Sequence, residues 1–188
     1  MQYRARKETP FGPAPEPVGL LLDYARVDFP ETLPRPSWPR FFIATALAIV
    51  GSLLVDGLLV ALGTKLFPST QGYIHFRFSD YSRLTVIGVI FACVGWPIVT
   101  AISSHARWLF LRLAVLVTLV LFLPDLYLLV VGSTIEAVAV LMTMHLAIAV
   151  VTYNALVRLA PADRPGRPAP GGLRAGGPTR RVEIDFEP

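Results

Sequence analysis

The chain has 188 residues, 54% of them hydrophobic, with a mean hydropathy of +0.57 and a formal net charge of +4 at pH 7. That is too apolar for an ordinary soluble domain, and the lone Cys93 excludes an intrachain disulfide framework. A pI near 9.6 does not mark a nucleic-acid binder, because the basic residues gather at the ends of apolar stretches, where membrane topology and anionic headgroups account for them.

In chain order, residues 1–39 form an N-terminal tail. Pro10, Pro13, Pro15 and Pro17 exclude regular helix from residues 1–17 and predict a flexible leader. Residues 18–29 change character: Leu20, Leu21, Leu22, Tyr24, Val27 and Phe29 predict about two amphipathic turns, stopped by Pro30. Asp23 and Asp28 outweigh Arg26 there, so an anionic lipid surface is a poor seat and Leu20, Leu21 and Tyr24 are expected to dock on a protein partner. No cleavable signal is expected in this polar tail, so the first apolar stretch reads as an internal anchor.

A transmembrane domain is expected over residues 40–158, with helices at 40–62, 84–102, 108–131 and 135–157. Each stretch is about 19 to 24 residues, close to the ~20 a helix needs to cross the hydrocarbon core. Trp38, Arg40, Phe41 and Phe42 anchor the first at the interface. Asp56 lies about 24 Å along it. The 63–83 connection carries Tyr73, Phe76, Phe78 and Tyr81 among polar residues and ends in the basic stretch from Arg77 to Arg83. Cys93 in the second helix reads as packing. The third helix is bulky on all sides and carries Pro124 and, about 26 Å along, Asp125. Pro97 and Pro124 are expected to kink their helices. A very short turn leads into the fourth helix, where Glu136 opens the first turn and His145 lies near mid-depth. Residues 159–188 form a Pro-, Gly- and Arg-rich tail; its last residues alternate Val182, Ile184 and Phe186 with acids and read as a charged, unstructured end.

The distribution of the 17 Lys and Arg sets an orientation. Both tails and the short second connection hold all of them but Lys65, Arg77 and Arg83. Cytoplasmic segments carry the positive excess, so both termini are expected in the cytoplasm and the 63–83 connection outside a plasma membrane. The fold class is therefore an all-α, integral membrane four-helix bundle with cytoplasmic, Pro-rich tails.

A charge at the centre of a spanning helix costs about 2.5–3.5 kcal/mol on insertion scales, so Asp56, Asp125, Glu136 and His145 each need a reason. The three acids converge on the outer ends of the helices, bordered by Arg77, Asp80 and Arg83. One expectation is a polar cap, with Arg77 or Arg83 paired to Asp56 or Asp125. The other is a site for a headgroup or cation. His145 is expected to bond between helices. Small residues at Ala44, Ala48 and Ser52, at Gly88, Ala92 and Gly95, and at Ala139, Thr143 and Ala147 predict close helix packing. No metal-ligand spacing, phosphate-binding glycine loop or nucleophile elbow is present, so neither enzyme activity nor a cofactor or metal is expected.

Gly95-Trp96, the basic turn before Trp108, Pro124-Asp125 and the run Met144-His145-Leu146 occur in that order. In these features the stretch 83–160 resembles a family of small four-helix membrane proteins of unknown function found in actinobacteria. In overall layout the chain is also similar to a small accessory membrane subunit of the actinobacterial Mce lipid-uptake machinery. That second resemblance implies a non-enzymatic accessory or scaffolding subunit of a larger membrane assembly that transports cell-envelope lipids. The alternative reading is a small transporter or lipid-binding protein using the outer acidic cluster. Membrane lipids are partners in both, and nucleic acid in neither.

The orientation is directly testable. With Cys93 removed, Ser69→Cys is expected to react with an impermeant thiol reagent on intact cells and Thr179→Cys to be protected. The reverse pattern overturns the assignment.

Overall fold

The computed structural model describes residues 36–162 continuously, together with residues 8, 9, 12, 13, 19, 20, 24 and 27. Leu21 and the tail beyond residue 162 lie outside the described residues. Four helices dominate: α1 (Trp38–Leu66), α2 (Phe78–Ile102), α3 (Ala106–Val130) and α4 (Ile135–Leu159). Each is long and apolar enough to span a bilayer, with mean hydropathies of 2.2, 2.2, 2.5 and 2.0 over their most apolar windows. The protein is thus an all-helical, four-span membrane bundle. In the leader, Glu8–Thr9 and Gly12–Pro13 pair as two-residue antiparallel strands.

Local chemistry sets the helix ends. Pro39 sits in the first turn of α1, where a missing N–H costs nothing, and Pro68 follows its end. The α1–α2 connection is shorter than the sequence predicts. It folds into two 3₁₀ turns, Pro68–Thr70 and Ile74–Phe76, and α2 begins at Phe78. Asp80 and Arg83 therefore belong to the first turns of α2 rather than to a loop. An acid at Asp80 suits the positive end of the helix dipole. Thr134 caps α4 by accepting from the Ala137 amide at 3.4 Å, and Gly132 turns the chain into it at φ 97°. Pro97 and Pro124 both lie inside continuous helices.

The helices are packed unevenly. α1 and α4 lie closest, α4 also packs on α3 and α1 on α2, while α2 and α3 meet least among these neighbours. Ala44, Ala48 and Ser52 are fully buried on α1, as their spacing predicts. The small residues of the other helices act differently. Gly88 is exposed, and a Cβ built on Gly88 or Gly95 meets open space, so this face of α2 borders a gap. In the first half of α4 the buried positions are Ala137, Val138, Val140 and Met144, whereas Ala139 and Thr143 are exposed. α3 is the most exposed helix, in keeping with its bulky surface.

Two apolar layers cap the bundle. At the end that carries the tails, Trp96 donates from Nε1 to the Ala160 carbonyl at 2.8 Å and meets Phe110 edge-on at 5.1 Å between ring centroids. At the loop end, Phe76, Tyr81, Ala137, Val140 and Met144 form the second layer. Cys93 is buried in the first layer as a free thiol.

The α1–α4 contact yields a sharp prediction. A Cβ at Gly63 would lie 2.8 Å from Val140 Cγ2, a β-branched side chain with little freedom to move away. Gly63→Ala is expected to lower stability by about 1–3 kcal/mol. Val140→Ala in the same chain should recover much of the loss in thermal unfolding in detergent.

Candidate functional site

Between the two apolar layers runs a polar one, to which every helix contributes. Asp56 on α1 is completely buried and accepts a hydrogen bond from Thr85 Oγ1 on α2 at 2.6 Å. Its other oxygen, Oδ1, has no partner among the described residues. Asp125 on α3 meets His145 on α4: Nδ1 lies 2.9 Å from Oδ2, an ion-pair distance without hydrogen-bond alignment. The two side chains are 26% exposed for His145 and 7% for Asp125. Asp56 and His145 are near enough to interact electrostatically.

Antiparallel helix geometry explains how Asp125 reaches His145. Asp125 lies five residues from the end of α3 and His145 ten residues from the start of α4. Their Cα atoms thus differ in depth by about 7 Å. Helical side chains lean toward their own N-terminus, so in an antiparallel pair the two residues lean toward each other. Cα depth alone puts His145 near mid-depth and Asp125 toward the helix end, and the lean of the two side chains closes that difference.

The expected polar cap is arranged differently. Arg77 and Arg83 are exposed, and neither pairs with an acid among the described residues. Asp56 and Asp125 take Thr85 and His145 instead, which stand on adjacent helices at the right depth. Asp80 meets His75 Nδ1 at 2.8 Å. Glu136 has no hydrogen bond or ion pair among the described residues and serves as the first-turn acid of α4. Tyr73 and Ser133 tie the α1–α2 and α3–α4 connections together at 3.1 Å. In the N-terminal segment, Leu20 and Tyr24 are exposed while Val27 is buried among tail-end residues. Tyr24 meets the chain itself: Arg112 donates to its carbonyl at 2.8 Å and lies 4.5 Å from its ring centroid.

Beside the polar layer, α2, α3 and α4 enclose a cleft of about 870 Å³, within the 300–1,000 Å³ usual for ligand sites. It opens where α2 and α3 part. Gly88 and Phe91 on one lip and Val117 on the other are exposed. The wall is largely aliphatic and aromatic. Its polar groups include Thr85, Thr118, Asp125, His145 and Thr152. Sequence reasoning singled out Asp125 and His145 and missed the threonines. The signal was present, since Thr118 precedes Asp125 and Thr152 follows His145 by seven residues, which keeps each pair on one helix face. Among the described residues no group of three or more His, Cys, Asp or Glu stands ready to hold a metal.

Four spanning helices with a buried polar layer define a multi-pass integral membrane protein. A family model described as a family of unknown function (DUF6069) matches residues 32–162, all four helices included, and the chain belongs to that family. No curated protein and no solved structure matches it.

Asp125 and His145 should prove energetically coupled. Asp125→Ala or His145→Ala alone leaves a buried polar group without its partner, whereas the double variant removes both. Interhelical polar pairs in membranes couple by about 0.6–1.7 kcal/mol. Thermal unfolding of the two single variants and the double variant should show a loss smaller than the sum. Strict additivity would mean that the contact carries no energy.

Proposed function

We propose that this protein is a non-enzymatic, lipid-binding membrane protein that admits a lipid-like molecule sideways from the bilayer into the cleft between α2 and α3. The cleft carries the reading. It is bounded by three helices and lined by apolar side chains with a few convergent polar groups, and the exposed residues at its mouth, Phe91 and Val117, stand near the middle of two helices long enough to span a bilayer. The open space beside Gly88 and Gly95 fits the same role, because close helix packing would have filled it.

A site on the plasma membrane with both termini cytoplasmic completes the proposal and follows from the charge distribution. The lipid-traffic element draws on the similarity of layout to the Mce accessory subunit. The exposed Leu20 leaves a surface for a larger assembly, so a stoichiometric partner on purification in mild detergent would add the accessory role to lipid binding.

Filling the cleft tests the reading. Gly88→Phe adds a ring where nothing lies within 4 Å of the new Cβ, so folding should be unaffected. Native mass spectrometry of wild type should show retained lipid. The variant should bind it about tenfold more weakly, equivalent to ~1.4 kcal/mol. Equal retention by a folded Gly88→Phe protein would exclude the cleft as the site.

A further inference from the structure

We infer that the cleft selects an uncharged lipid whose head carries hydroxyl or carbonyl groups, that Asp125, His145 and Thr152 hold this head, and that phosphate-headed lipids are rejected. The inference rests on the lipid-binding reading above and adds the chemistry of the ligand.

Charge is the first argument. Among the described residues no Lys or Arg lines the cleft. Phosphate recognition relies on Arg, Lys or helix N-termini, and the polar wall here offers one carboxylate, hydroxyls and the imidazoles of His75 and His145, of which His75 is held by Asp80. An anionic head would face Asp125 with His145 beside it, and that imidazole is already turned to the carboxylate. In a low-dielectric wall such a like-charge contact is strongly unfavourable. A cationic head would compete with His145 for Asp125 and leave the imidazole unpaired. A hydroxyl is both donor and acceptor, so it matches the carboxylate and the imidazole together.

The second argument is an unused hydroxyl. Threonines in spanning helices normally return their hydrogen bond to a carbonyl one turn earlier. Thr64 does so to Val60, Thr118 to Ala114 and Thr143 to Ala139. Thr152 does not. It is 3% exposed, its Oγ1 has no partner among the described residues, and it lines the cleft. It stands two turns from His145 on the same face, about 10 Å along the helix. An unsatisfied hydroxyl there is costly unless a ligand group meets it. The wall therefore offers two polar rungs, one at Asp125–His145 and one at Thr152, to a head with more than one oxygen.

Two probes with the same tail and glycerol separate charge from everything else: 1-palmitoylglycerol and its phosphate ester, lysophosphatidic acid. Binding to the full-length protein in non-ionic detergent would be read by native mass spectrometry. Wild type should prefer palmitoylglycerol by at least about tenfold. Asp125→Asn should narrow that ratio by admitting the phosphate. Thr152→Val, nearly isosteric and outside the Asp125–His145 pair, should weaken palmitoylglycerol while thermal stability of the ligand-free protein holds or rises, because an unsatisfied hydroxyl is removed. Equal or better binding of the phosphate by wild type overturns the inference, and so does an unchanged affinity for palmitoylglycerol in Thr152→Val. Gly88→Phe separates the two claims. If it blocks both probes and the ratio is near one, the cleft binds lipid without this selectivity. If it blocks neither, the cleft reading itself falls.

Discussion

Water is absent from the middle of a bilayer, so each polar atom there must find its partner within the protein. Asp125 against His145 and Asp56 against Thr85 answer that requirement in part, while Asp56 Oδ1 and Thr152 Oγ1 have no partner among the described residues. Each contact joins two helices, and between them they touch all four. The packing elsewhere is arranged around these two contacts: an apolar layer above, an apolar layer below, and the polar layer between them. Dispersion and close fit supply most of the adhesion between spanning helices, but they tolerate sliding and rotation. The buried acids fix the depth and rotation of each helix, because a helix turned by one residue would present carboxylate to lipid.

The uneven packing gives the bundle two different sides. On one, Gly51 and Gly63 bring α1 against Val151 and Val140 of α4, with no room for a further methyl at Gly63. On the other, glycines of α2 face nothing. The same residue type thus produces contact in one place and space in another, and the difference lies in what stands opposite. Asp125 and His145 sit at the boundary between these sides, which is why they both stabilise the bundle and line the cleft.

Much of the architecture was legible in the sequence. Four apolar runs of membrane-spanning length need no tertiary information to be read as helices. The buried stripe of α1 followed from the four-residue spacing of Ala44, Ala48 and Ser52. The acids that require partners were legible too, since their cost in lipid is intrinsic to the residue. Their partners were not. Pairing Asp125 with His145 depends on the lean of side chains in an antiparallel pair, and giving Asp56 to Thr85 depends on which face of α2 turns inward. Arg77 and Arg83 looked like natural counter-ions in a linear reading. In three dimensions they stay at the surface, where their own solvation is satisfied. Thr152 drew no notice because threonine is inexpensive in a helix when it bonds back to its own turn.

The tightest interface joins the first helix to the last, and this has a consequence for biogenesis. Helices emerge and insert in order, so α1 enters the membrane with the fully buried face of Ala44, Ala48 and Ser52 still uncovered and Asp56 unpaired. α2 brings Thr85 to Asp56 soon after. The surface that Gly63 prepares stays vacant until α4 arrives, more than seventy residues later in synthesis. Closure of the bundle is therefore a terminal event. A chain interrupted after α3 would expose both the glycine face of α1 and the lone carboxylate of Asp125. An unfinished chain would thus differ from a finished one in leaving a close-packing face and an ionisable group open to lipid.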